Sequence, residues 1–172
     1  MSELAELRAR VQAFEDQQAI RVCINRYMAL CDALDADSPL DELAGLFTAD
    51  ARWEGKGARY AASFGGYVGR DAIRAMFATY MRTPAHFALN VHFLTSEVID
   101  VVSAERAQGR WLMLQTSTFA DGGSHLNAAR LDITFAQQDG RWRMAHFQTE
   151  NLFSRPTSAW NDQAPLPVPG QR

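Results

Sequence analysis

The sequence predicts an α+β fold in which N-terminal helices pack on one face of a curved antiparallel sheet and enclose a pocket. Three observations predict it. Through about residue 83, apolar side chains recur at three- and four-residue spacing. From about residue 87 they alternate with polar ones. Three turn-rich tetrapeptides, "SAER", "DGGS" and "QQDG", then divide the alternating region into four strands.

Each element follows in order. Leu4, Leu7, Val11 and Phe14 form one stripe of an amphipathic helix, and Ile20, Cys23 or Ile24, Tyr27 and Cys31 form a second. "SPLDEL" announces a further helix running to about Phe47, with Ser38 at the N-cap, Pro39 in the first turn and Asp41 as an acidic variant of the capping box. "ARWEG" is a short strand that ends in a Gly-rich stretch, 55–69, expected as a mobile loop. "RDAIRAMFATYMR" puts Ile73, Met76, Phe77 and Tyr80 on one helical face, with Pro84 shortly beyond. Strands are expected at about 87–102, 106–120, 126–137 and 142–153. Residues 1–155 therefore form a single domain. Residues 156–172, with Pro165, Pro167 and Pro169, form an extended tail over the body or a partner subunit.

Charge narrows the function. Seventeen basic and twenty acidic residues are interspersed, for a net charge of −3, which argues against a nucleic-acid partner or a charged membrane surface. No apolar run approaches the roughly 20 residues of a membrane span. The N-terminus carries Glu3, Glu6 and Glu15 without the apolar region of a secretory signal. Cys23 and Cys31 would lie about 12 Å apart along a helix, too far for a disulfide, so a reducing cytoplasm is the expected setting. Lys56 is the only lysine and sits in "EGKG", expected as a solvated turn. Amine catalysis needs a desolvated lysine and is not expected.

Nucleophile-elbow, P-loop and dinucleotide-binding motifs are missing. His86, His92, His125 and His146 form no HxH or HExxH pair, and His86 and His92 would stand about 20 Å apart along a strand. Acid–base chemistry without metal, nucleotide or lysine is what remains. His92 lies inside the strand "NVHFLTSEVID", and an imidazole titrates near neutral pH; the alternative is a core histidine anchored to a backbone carbonyl. Tyr27 lies on the apolar stripe. Asp32 follows five residues later, about 140° around the helix, so both would border a pocket if the helix lies along its rim. A carboxylate in a last helical turn opposes the helix dipole, which points to some other role for Asp32. In the sheet, Trp111, Met113 and Gln115 share a side, as do Phe147, Thr149 and Asn151. Alternation alone leaves open which side faces the pocket. Arg130 and Asp132 oppose Leu131, Ile133 and Phe135 and are read as an outward ion pair.

Six segments in order, "RYMALCDALD", "LAGLFTADARWEG", "GRDAI", "HFLTSEVID", "GRW" and "DGRWRMAHF", resemble the SnoaL-like group of the nuclear-transport-factor-2-like superfamily over about residues 15–153. Scytalone dehydratase and bile-acid 7α-dehydratase are its enzymatic relatives. The resemblance implies an NTF2-like cone with a deep apolar pocket, assembled as a homo-oligomer, dimer or trimer. It places the family's catalytic tyrosine, aspartate and histidine on Tyr27, Asp32 and His92. The chain departs from the dehydratases at Gln115, Asn151, Ala129 and Leu131, so neither of their substrates is expected. The implied pocket is lined by Trp53, Trp111, Leu131 and Phe147, with Gln115, Thr149 and Asn151 orienting polar groups. The expected function is a cofactor-independent lyase or isomerase acting on a hydrophobic, ring-containing hydroxylated small molecule. The alternatives are a non-catalytic ligand-binding or assembly module, and an epoxide hydrolase, which would need Arg130 and Asp132 inside the pocket.

Overall fold

A computed structural model gives the fold and describes residues 2–158. α1 (Glu3–Asp32) is a single helix of 30 residues, N-capped by Ser2. No Gly or Pro interrupts it, so both apolar stripes lie on one rod about 45 Å long. Only the second stripe is core: Ile20 and Ile24 are fully enclosed and Cys23 and Tyr27 nearly so. Leu4, Leu7, Val11 and Phe14 are exposed instead, because every buried α1 residue lies at or beyond Asp16. Asp16 itself accepts hydrogen bonds from Trp142 Nε1 at 2.9 Å and Gln12 Nε2 at 3.2 Å, tying the helix to the last strand.

α2 (Leu40–Gly45) starts from Pro39 without a side-chain cap. Ser38 holds the preceding turn: its hydroxyl accepts from the Asp35 amide and contacts the Ala33 carbonyl. Phe47, expected to end that helix, begins β1 (Phe47–Lys56). The Gly-rich stretch is ordered rather than a loop. It forms α3 (Gly57–Phe64) and the short β2 (Gly66–Val68), and Lys56 ends β1. Tyr60 and Phe64, four residues apart on α3, pack edge-to-face with each other, and Phe64 packs edge-to-face on Trp53. Gly57 and Gly65 bound this helix at positive φ, which glycine adopts without strain. α4 (Arg70–Ala78) buries Ile73, Met76 and Phe77, as its spacing predicts.

The alternating region forms β3 (Phe87–Val101), β4 (Arg106–Phe119), β5 (Ser124–Gln138) and β6 (Arg141–Thr157), joined as an antiparallel meander. Among the described residues the sheet has six strands, ordered β2-β1-β6-β5-β4-β3: the four of the meander are extended by β1, which pairs with β6 in parallel and carries β2 on its other edge. Register shifts between Thr95 and Val98 and opposite Leu152 insert extra residues that bend the strands. The open sheet wraps the buried halves of the helices. Phe47, Phe135, Leu131 and Met144 meet Ile20, Ile24, Leu43 and Ile73 there, all fully buried, each contributing about 1.5–3 kcal/mol.

Arg130 and Asp132 do face outward, but not as a pair: Arg130 Nη1 reaches Glu150 Oε2 on β6 at 3.1 Å. Pro156 lies within β6, and the tail prolines 165, 167 and 169 lie outside the described residues. No helix among the described residues is long and apolar enough to cross a membrane.

Candidate active site

Between the helices and the inner face of the sheet lies a cavity of about 340 Å³. α1 supplies Tyr27, Met28 and Cys31; β1 supplies Trp53; α3 supplies Tyr60 and Phe64; and the meander supplies alternate residues of its four strands. Strand periodicity dictates that choice: Asn90 and His92 on β3, Met113, Gln115 and Ser117 on β4, and Asn127 and Leu131 on β5 all point inward.

Asp32 is the last residue of α1, and the helix delivers its carboxylate to β3. Its Oδ1 lies 2.6 Å from His92 Nδ1, and its two oxygens accept from the His92 backbone amide at 3.1 and 3.2 Å. Three contacts to one residue offset the poor placement of a carboxylate at a helix C-terminus. They also fix the imidazole. With Nδ1–H given to the carboxylate, Nε2 keeps its lone pair, on a side chain that lines the cavity.

Tyr27 is buried and packs against Phe47, Phe77 and Phe147. Its hydroxyl accepts from Trp53 Nε1 at 3.1 Å and lies beside the Cys31 thiol. Burial pushes its pKa well above the ordinary value, so it remains a proton donor. Enclosure also pushes the Cys31 thiol up to about 12, against a smaller opposing effect of the Tyr27 hydrogen bond. Cys31 is thus a neutral thiol and a poor nucleophile.

The structure brings Tyr27, His92, Trp53, Gln115, Leu131, Phe147 and Thr149 around one cavity, with Asp32 directly behind His92. Trp53 and Phe147 stack face to face at 5.7 Å between ring centres. Two expected lining residues lie elsewhere. Trp111 shares the face of Met113 and Gln115, but it is buried against Phe135 and gives its Nε1–H to Glu97. Asn151 sits beside the Leu152 bulge, where its amide is taken up by the Ala128 and Phe153 carbonyls and by Asn127.

Sequence reasoning missed Tyr60, Asn90, Ser117 and Asn127, all of which line the cavity. Asn90 shares strand parity with His92, and Asn127 with Leu131, so alternation offered a signal for both. For Tyr60 the signal was its spacing from Phe64 within a stretch dominated by glycines. His86 and His125 also reach the cavity, at its end near Phe87 and Phe119. Desolvation first, then the Arg82 guanidinium, holds the His86 pKa below its ordinary value. Among the described residues, no three His, Cys, Asp or Glu side chains gather as a metal site.

A family model described as a SnoaL-like domain matches residues 12–148. Among solved structures, the chain is similar to a candidate scytalone dehydratase from Novosphingobium aromaticivorans DSM 12444, with 18% identity and a TM-score of 0.69 over 88% of this chain and 97% of that one. It is similar to a hexachlorocyclohexane dehydrochlorinase, LinA type 2, with 20% identity and a TM-score of 0.68 over 99% and 100%. It is also similar to an NTF2-like protein with a cystatin-like fold from Novosphingobium aromaticivorans, with 25% identity and a TM-score of 0.65 over 88% and 92%. These likenesses carry the fold, an NTF2-like cone. No curated protein matches the chain.

Proposed function

The chain belongs to the SnoaL-like domain family, and on that premise we propose that it is a cofactor-independent lyase or isomerase acting on a hydrophobic, ring-containing hydroxylated compound. One observation carries the reading: Asp32 and His92, sixty residues apart in sequence, meet at 2.6 Å beside the cavity. His92 Nε2 is the general base. Asp32 holds the reactive tautomer and stabilises the imidazolium that forms, as the orienting carboxylate of a catalytic triad does. Tyr27, kept protonated by burial, is the donor to a developing oxyanion or leaving group. The aromatic walls, Trp53 and Phe147 above all, suit a flat ring. A dehydrochlorinase and a candidate dehydratase among the structural neighbours support elimination as the first reaction to assay.

The test is a screen of hydroxylated bicyclic aromatic and steroid-like compounds in buffer containing a chelator. Turnover is expected with the wild type, and His92→Ala should lose ~10²–10⁴-fold in kcat/KM. A folded His92→Ala variant that turns over as fast as the wild type would sink the reading. The non-catalytic alternative draws support from Tyr27, whose hydroxyl already has Trp53 and Cys31 as neighbours. That alternative requires tight binding without turnover.

We propose further that the homo-oligomer forms through the outer sheet face, a reading supported by the exposure of Phe93 and its cross-strand neighbour Leu114 beside Leu112. Sedimentation should show a dimer or trimer that Leu114→Glu dissociates.

A further inference from the structure

A row of amides runs across the sheet, one from each strand of the meander, and three of its members, Asn90, Gln115 and Asn127, line the cavity. Asn151 on β6 donates to Asn127 Oδ1 at 2.8 Å. Asn127 on β5 donates to Gln115 Oε1 at 3.3 Å and to the Tyr60 hydroxyl at 2.5 Å. Gln115 on β4 donates to Asn90 Oδ1 on β3 at 2.8 Å, where Ser117 also donates at 2.9 Å.

The direction of this row is set at both ends. Asn90 Nδ2 faces the Cys31 carbonyl at 3.3 Å, and a carbonyl can only accept. At the other end, Asn151 Nδ2 faces the Phe153 carbonyl at 3.0 Å, while its Oδ1 accepts from Arg59, which can only donate. With both ends fixed, every amide between them must donate toward β3.

The consequence falls on Tyr60. Both Asn127 N–H groups are used, one on Gln115 and one on the Tyr60 oxygen, so Tyr60 accepts. Its own proton has no acceptor among the described residues, and neither does the second N–H of Gln115. Every amide oxygen of the row already accepts at least one bond. A spare carbonyl lone pair is tolerated inside a protein, whereas an unmet donor is costly.

We infer that Tyr60, held by Asn127, is a specificity-determining donor for an acceptor oxygen on the ligand: a ketone or ether oxygen carried on an apolar ring skeleton. This names the substrate class of the same cavity, and it rests on the reading above in taking that cavity to hold a small molecule. Tyr60 stands over β5, two strands from His92 and so about 10 Å across the sheet. The recognised oxygen therefore sits at the far side of the ring system from the carbon or hydroxyl that His92 approaches.

The test compares two probes of one shape, 2-acetylnaphthalene and 2-isopropenylnaphthalene, which differ by O for CH₂. Calorimetric titration should find the ketone bound about tenfold or more tightly by the wild type. Its ¹³C-labelled carbonyl resonance should move downfield on binding. Tyr60→Phe should shrink the preference to within about twofold and leave the affinity for the alkene unchanged. Asn127→Asp keeps the size but supplies a carboxylate that accepts the Tyr60 proton, and should remove the preference too. Equal affinity for the two probes in the wild type overturns the proposal, as does an undiminished preference in a folded Tyr60→Phe. Failure of both probes to bind overturns it together with the ligand-binding view of the cavity. A preference lost with Tyr60 but intact in His92→Ala supports it, even where the acid–base reading fails for want of turnover.

Discussion

Asp32 and His92 show what a single side chain's position can and cannot reveal in advance. His92 was legible as a polar residue in an apolar strand, and Asp32 as a carboxylate at the wrong end of a helix. Their meeting depends on how α1 crosses β3, which no local pattern encodes. The pair makes a prediction that stands apart from activity. In ¹⁵N NMR of the neutral imidazole, His92 should carry its proton on Nδ1, and Asp32→Asn should redistribute it toward Nε2; an unchanged tautomer would mean that the carboxylate does not orient the ring. The cysteines give another. Burial raises Cys23 and Cys31 from an ordinary 9.0 to about 12. At pH 8 the thiolate fraction of each is therefore about a thousandfold lower in the folded chain than in the unfolded one. Mass spectrometry should find both resistant to iodoacetamide until urea is added. The linkage has a definite sign. Below pH 9 both states hold these protons and stability is intact. Above it the unfolded chain ionises first, so stability should fall as pH rises from 9 toward 12.

Among the elements, the four meander strands and α4 followed directly from periodicity, because each buries one face and exposes the other. The Gly-rich stretch did not, because glycine signals a loop while the packing of Tyr60 and Phe64 on Trp53 decides for a helix. Nor did alternation survive the bulges at Ser96 and Leu152, since one inserted residue reverses every later side chain: beyond Leu152 it is Ser154, of opposite parity to Thr149, that reaches the cavity. Two substitutions test these contacts. A Cβ on Gly55 would land against the Tyr60 carbonyl, which is backbone and cannot turn aside. Gly55→Ala should displace α3, cost about 1–3 kcal/mol, and blunt the ketone preference with it, as thermal unfolding and the same titrations would show. Trp142→Phe removes the indole N–H from the buried Asp16 carboxylate. Urea denaturation should show a loss of about 1–3 kcal/mol, and a smaller loss would mean that Gln12 or water replaces it.

At the level of the whole molecule, the class of fold was readable from helices followed by alternating strands, and the sheet order was not. Nothing local to "ARWEG" says that it lies parallel to a strand some ninety residues later. That pairing makes β6 the seam of the protein, with β1 and β2 on one side and β5, β4 and β3 on the other. The seam governs how the chain must assemble. During synthesis, the first five of these six strands belong to two patches that share no edge, and the strand that joins them follows all five out of the ribosome. Chain closure over so long a separation is slow, and until it happens both patches present open edges to other chains. A chain ending at Gly140 should therefore show no cooperative thermal transition and should aggregate, whereas supplying residues 141–158 as a separate peptide should rescue it, so the half-made protein is a natural client for a chaperone that shields strand edges.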